Sequence, residues 1–405
     1  MRNAKLIVAA AFGAAVLCLS LSCYAQSGAD LEARVTALEE QMKSAGVLEG
    51  LEMNIGFTMI VQGTSKANGS GIVANNIGHK ENDTTDASYS ADIEFFKQLD
   101  EQSSVFLHLE TGENAGVTDD LELYSNVNQD ANAATGNFGV SELYWEQNFD
   151  DQTFLTFGKI DATGFIDTNE YANDECSQFL SSMFKNSPAI EFPDNTIGLR
   201  AGTALLDVLS LDTVIADGDA DFNQVGDSLW IGAQLTLQPN SIERKGNYRL
   251  YYWYNDTPHT KWQDASKTKE SGQGFGISFD QELTERMGVF VRAGMQQDDA
   301  ALDTSTFSLE SAYSFGAQFN GSFWGRDNDI LGLGCGQVMA SDEYKKAGNL
   351  QAKTEGQVEL YYNYAVSENL IISPDFQMIN NPFGKDAVNG DDIIFVAGIR
   401  TQINF

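Results

Sequence analysis

Read backwards from Phe405, the end of the chain alternates. Phe405, Ile403, Thr401, Ile399, Ala397, Phe395 and Ile393 fall on one side, and Asn404, Gln402, Arg400 and Gly398 on the other. A two-residue period marks a β-strand with one apolar and one wet face. "GLEMNIGFTMIVQ" repeats the pattern: Leu51, Met53, Ile55, Phe57, Met59 and Val61 oppose Glu52, Asn54, Gly56, Thr58 and Gln62. "SLWIGAQLTLQ" does so again, with Leu229, Ile231, Ala233, Leu235 and Leu237 against Trp230, Gly232, Gln234 and Thr236. Such segments run to about ten residues, longer than the ~5–6 usual in soluble sheets and the length a tilted strand needs to cross a bilayer. A soluble β-sandwich also alternates; the length of these segments separates the two. In lipid, a closed barrel leaves no backbone group unpaired.

About sixteen segments fit the spacing of a membrane barrel. They lie near 50–62, 88–98, 103–112, 138–148, 152–160, 196–203, 207–216, 228–238, 247–254, 273–282, 287–296, 308–319, 329–339, 354–365, 369–378 and 392–405. Short connections ("DEQS", "DDQ", "TERM", "VSEN") alternate with long ones at 113–137, 161–195, 255–272 and 379–390. Outer-membrane barrels have short periplasmic turns and long outer loops, and an even strand count returns both ends to the periplasm. The weak point of the count is "NGSFWGRDN" near 320–328, long for a turn. The fold class is therefore all-β, an antiparallel transmembrane barrel.

Residues 1–25 read as a secretory signal: Arg2 and Lys5, then apolar Leu6 to Leu21, then Cys23-Tyr24-Ala25 as a cleavage site. An N-terminal anchor is the alternative, with a short apolar run against it; acylation at Cys23 is disfavoured by Ser20. Residues 26–48 carry Leu31, Val35, Leu38 and Met42 at coiled-coil spacing. Two heptads are marginal alone, so they join a periplasmic homotrimer or form one helix at the barrel mouth. The barrel then occupies 49–405. With 24 basic and 58 acidic residues, the net charge of −34 repels nucleic-acid phosphates. Cys176 and Cys335, the cysteines beyond the signal, make neither a disulfide framework nor a zinc site. Alternation places Cys335 on the lipid face, which argues against a bond between them.

The longest loop follows the fifth strand, and a loop of this length is not ordinary slack. Its sequence, "GKIDATGFIDTNEYANDECSQFLSSMFKNSPAIEFPDN", resembles the signature of the OprB-type carbohydrate-selective porins. The matching pieces are Gly158-Lys159-Ile160-Asp161, Asp167-Thr168-Asn169, Ala172-Asn173-Asp174-Glu175, Gln178-Phe179-Leu180, Asn186-Ser187-Pro188 and Phe192-Pro193-Asp194-Asn195. A second block matches at Pro374-Asp375-Phe376-Gln377 and Asn381-Pro382, and "GIRTQINF" is similar to the family's last strand. Cys176 departs from the small polar residue expected there. The resemblance implies a sixteen-stranded outer-membrane barrel, set in outer-membrane lipid, that passes mono- or oligosaccharides by diffusion. A general pore without sugar preference is the alternative.

A sugar offers hydroxyls at its edge and an apolar ring face. Charged groups bond hydroxyls strongly and aromatic faces cover rings. Alternation turns Glu142, Tyr144 and Glu146, then Arg200, then Arg249, Tyr251 and Trp253, then Arg292, inward, and Glu310, Glu359 and Arg400 likewise. These arginines are expected to face carboxylates of the third loop and Glu142 and Glu146; the plainer reading makes them ordinary wet lumen residues. In the loop, Asp161, Asp167, Asn169, Asn173, Asp174, Glu175, Asp194 and Asn195 are expected to anchor it and meet hydroxyls, with Phe179 packing it to the wall. Asp174 and Glu175 serve equally well as a structural latch.

Other motifs carry less. The chain has three histidines, His79, His108 and His259, and neither G-x-S-x-G nor H-E-x-x-H. No cofactor or metal site is expected, and an enzyme or adhesin built on a barrel is the competing class. "DGDADFNQVGD" at Asp217 to Asp227 begins like a calcium loop but lacks its sixth-position Gly and twelfth-position Glu. Gly332, Gly334 and Gly336 imitate a phosphate loop; at period two they give an inward face without side chains, or a bend.

Overall fold

In a computed structural model, the structure describes residues 50–66, 83–130, 136–239, 243–302, 307–387 and 392–405. The expected signal peptide and helical segment lie outside them. Contacts separate Met1–Glu52 from Met53–Phe405, and the second unit is a barrel wall.

The wall strands are β1 (Leu51–Ser65), β2 (Thr84–Gln98), β3 (Ser103–Glu113), β4 (Gly139–Asn148), β5 (Phe154–Ile160), β6 (Thr196–Leu206), β7 (Leu209–Asp217) and β8 (Leu229–Leu237). They continue with β9 (Gly246–Lys261), β10 (Glu270–Thr284), β11 (Met287–Gln296), β13 (Leu309–Asn320), β14 (Ile330–Ala340), β15 (Glu355–Ser367), β16 (Leu370–Asn380) and β17 (Ile393–Asn404). The three-residue β12 (Ala300–Leu302) pairs only with the far end of β9 and stands outside this count of sixteen. The sheet closes where β1 meets β17, from Gly56 opposite Asn404 to Ser65 opposite Phe395.

Alternation sorts the faces as the sequence requires. On β9, Leu250 and Tyr252 point outward and are exposed, while Arg249, Tyr251 and Trp253 are buried inside. Phe275, Val291, Phe315, Leu333, Phe376, Phe395 and Ile399 continue the exposed apolar belt from strand to strand. Such a belt suits lipid and would be costly in water. No described helix is long and apolar enough to cross a membrane.

One detail differs from the sequence reading and one doubtful point is resolved. β9 and β10 extend well past the expected 255–272 loop, pairing as far as His259 with Glu270. The doubtful turn at 320–328 keeps the count: Gly321 N–H donates to Asp329 C=O (2.7 Å), and Arg326 stacks on Tyr364. Both Cys176 and Cys335 are free.

Candidate channel and constriction

The third long connection, 161–195 (here L3), does not stand out from the barrel; it lies inside. Its apolar residues make it a second core. Ile166 and Ile190 pack with Val214, Trp230, Tyr251 and Trp253 of the wall. Further along, Phe179, Met183 and Phe184 pack with Phe290, Val338 and Tyr361. The glycines of β14 explain this close seat: a Cβ added at Gly334 would lie 2.8 Å from the Phe184 ring and 2.9 Å from that of Phe179. The stripe of small residues is a socket for loop aromatics, not a phosphate loop.

Polar pins fix L3 strand by strand. Asn169 Nδ2 donates to Ser278 Oγ and to the Phe279 carbonyl on β10, both at 3.1 Å. On β11, Arg292 Nε lies 2.9 Å from an Asp167 carboxylate oxygen, and its other nitrogens donate to the carbonyls of Phe184 (2.8 Å), Asp167 (2.9 Å) and Ala172 (2.9 Å). On β15, Glu359 accepts from the amides of Leu180 (2.6 Å) and Ser181 (3.1 Å). On β17, Arg400 donates to the carbonyls of Glu175 and Gln178, both at 2.8 Å. Burial raises the Asp167 carboxyl to about 6, against the lowering charge of Arg292. Burial likewise raises Glu175, despite Lys185 at 2.6 Å.

With L3 packed on the wall from β6 round to β15 and tied to β17 by Arg400, the open space lies against β1–β4. A cavity of about 980 Å³ is lined by Asp92, Glu94, His108, Glu110 and Glu142 from the wall and by Asp161, Asp174, Glu175, Lys185, Phe192, Asp194 and Asn195 from L3. It is acidic, water-facing and flanked on the L3 side by an aromatic ring and Pro193.

Comparison with known proteins decides the family. The description "Carbohydrate-selective porin, OprB family" matches residues 107–405. The chain belongs to the OprB family of carbohydrate-selective porins. It is 29% identical over 224 residues to an uncharacterised protein of Aquifex aeolicus, an alignment covering 55% of this chain and 58% of that one. It is 26% identical over 204 residues to Porin B of Pseudomonas aeruginosa, covering 42% and 44%. The alignments thus span about half the length of these relatives. In fold it resembles the high-pH structure of Pseudomonas putida OprB, with a TM-score of 0.75, 16% identity, and coverage of 91% of this chain and 97% of the other. The fold and family are those of channels in the bacterial outer membrane.

Within this OprB-family barrel, most of the residues singled out from sequence either line the cavity or are buried at the L3 seat, and the others pair with neighbours. Glu142, Asp161, Asn173, Asp174, Glu175, Asp194 and Asn195 line the cavity. Arg292, Arg400, Tyr251 and Trp253 of the wall, with Phe179 and Asp167 of L3, are sealed where L3 meets the wall, each at most 2% exposed. Arg249 pairs with Asp280 of β10, and Arg200 with Asp212 of β7 (2.8 Å) while stacking on Phe154 and Phe165. Glu146 accepts from Thr156 Oγ1 (2.9 Å), and Glu142 from the Asp161 amide (3.1 Å). Of the four arginines, Arg292 meets a loop-three carboxylate and Arg400 meets loop-three carbonyls.

Sequence reasoning missed the inward fold of the second long connection, seen over its described residues 114–130 (L2). Glu355 accepts from the amides of Tyr124 and Ser125, both at 3.0 Å. Val127 packs on Ile379, Ile394 and Val396. L2 then braces the tip of L3, where the Gln129 amide donates to the Leu180 carbonyl (2.8 Å). The available signal was the run of apolar residues Val117, Leu121, Leu123 and Val127 in a segment otherwise read as an outer loop.

Proposed function

We propose that the barrel passes mono- or oligosaccharides by passive diffusion between L3 and the β1–β4 wall. The cavity carries this reading. Its carboxylates and amides, from Asp92 to Asn195, can bond successive hydroxyls, and Phe192 with Pro193 offers an apolar ledge to a ring face. Its volume of about 980 Å³ admits a small oligosaccharide. Weak repeated contacts suit entry and exit alike. In this reading the arginines beneath L3 act by positioning the loop, and cavity-lining acids and amides meet the solute.

The reading is of a channel rather than an enzyme, without cofactor and without nucleic acid as partner, its outer face set in lipid. Trimer formation through 26–48 is part of it and is tested by crosslinking. The permeation test is swelling of liposomes carrying the refolded full chain, with mono- and disaccharides compared against amino acids and salts of similar size. Preferential sugar entry supports the proposal; entry ordered by size alone replaces it with a general diffusion pore.

A further inference from the structure

Strand arithmetic brings three ligand-competent side chains to one patch of the lumen. Asp92 stands opposite Glu110 across the β2–β3 pair, and His108 is two residues from Glu110 on β3. At period two all three project to the same face, and that face lines the cavity. One ligand atom from each lies within 4.8 Å of the others. His108 Nε2 is 2.9 Å from Asp92 Oδ1. That spacing is a hydrogen bond; two donors about 2.1 Å from a common tetrahedral ion are ~3.4 Å apart, so the pair needs to open by only about half an ångström to share one. Behind the ring, His108 Nδ1 faces Glu142 Oε1 at 3.9 Å. A carboxylate on that side is the usual partner that orients a metal-binding imidazole.

The surrounding charge favours a cation. Glu94 is directly opposite His108 on β2. Elsewhere in the wall, carboxylates are matched by arginines, as in Arg249–Asp280 and Arg200–Asp212, or covered by loop amides, as at Glu355 and Glu359. Lys185, on the far side of the cavity, is paired with Glu175. The patch thus gathers four carboxylates around one imidazole.

We propose that Asp92, His108 and Glu110 bind a divalent transition-metal ion of the Zn²⁺ type inside the lumen. An imidazole among the donors selects such ions over Ca²⁺ or Mg²⁺. Three protein donors from one wall leave the positions facing L3 to water. The ion would sit in the passage itself and cancel about half the negative charge of the four carboxylates around it. The proposal rests on the lumen geometry and not on which solute the barrel prefers.

The test uses the untagged full chain, refolded in detergent, stripped with a chelator and titrated with ZnCl₂ by calorimetry. Folding of each variant is checked by the mobility difference between heated and unheated samples on a gel. One Zn²⁺ per chain is expected, with affinity at least tenfold weaker in His108→Gln and in Asp92→Asn and unchanged in Asp219→Asn. Equal binding by wild type and His108→Gln, or no binding by wild type, overturns the proposal. Should a variant fail to fold, Cu²⁺ electron paramagnetic resonance on His79→Gln, which leaves His108 and the buried His259, decides: splitting from an imidazole nitrogen supports the site, and an oxygen-only spectrum rejects it.

Discussion

Arg292 of β11 and Asp167 of L3, 125 residues apart in sequence, hold each other with their side chains 1% and 0% exposed. The guanidinium also collects three L3 carbonyls. Removing one partner of a buried pair typically costs about 3–5 kcal/mol, because the other is left charged and unpaired. Arg292→Ala is therefore expected to lower barrel stability by that order and to free L3, seen as raised single-channel conductance and protease cleavage within 161–195. Arg292→Lys should recover little, since the three donors of an ammonium leave one compact point and cannot span acceptors that Nε and both terminal nitrogens of the guanidinium reach. Unchanged conductance in both variants would refute the pin.

Glu359 offers a second point of control. Both its oxygens accept loop amides, and Gln supplies only one acceptor and turns an N–H₂ toward a donor. Glu359→Gln is expected to loosen the L3 tip by about 1–3 kcal/mol, the cost of a buried unsatisfied group. Hydrogen exchange at Leu180 and Ser181 reads this directly; protection equal to wild type contradicts it.

The strands were legible because a membrane barrel must alternate, and a one-residue error would turn a whole strand inside out. The constriction loop was legible from its length and its Asp-Thr-Asn, Asn-x-Pro and Pro-Asp-Asn pieces. What each inward side chain meets was not legible. Parity places Arg292 and Arg400 inside, but only the loop's path shows that carbonyls of Phe184 and Gln178 meet them before a solute can. Glu355 and Glu359 look like wet lumen acids until L2 and L3 fold over them. Sequence distance hides these pairings: the Tyr124–Glu355 contact spans 231 residues.

Asp130 of L2 gives a pH dependence. It is buried, with one oxygen accepting from Ser90 Oγ (2.7 Å) and the other without a partner. Burial raises its carboxyl from 3.8 to about 7. A raised acid binds its proton more tightly in the folded form, so folding is favoured below the unfolded value and the benefit is lost as pH rises through 7. Wild type is expected to melt lower at pH 8 than at pH 5.5. Asp130→Asn should reduce that difference, leaving the share of the other buried loop acids, and gain about 1–3 kcal/mol at pH 8. Parallel melting profiles for the two proteins would exclude Asp130 as the source.

Ion preference follows from which charges line the passage. The arginines are paired or covered by L3, whereas the cavity carries Asp92, Glu94, Glu110, Glu142, Asp174 and Asp194. A potassium chloride gradient across a bilayer holding the protein should give a reversal potential of cation-selective sign. Glu94→Gln with Glu110→Gln should reduce it. An anion-selective sign would show that the covered arginines still govern the field.

The seating of L3 also bears on how such a barrel can diverge. The arc from β6 to β15 is committed to the loop: a side chain at Gly334, or a change at Arg292 or Glu359, disturbs the seat before it touches a solute. The arc from β1 to β4 holds no such obligation to L3 along most of its length. Substitutions there change what passes without changing the aperture. Lineages of this architecture are therefore expected to keep one side of the ring fixed and to explore new cargo on the other.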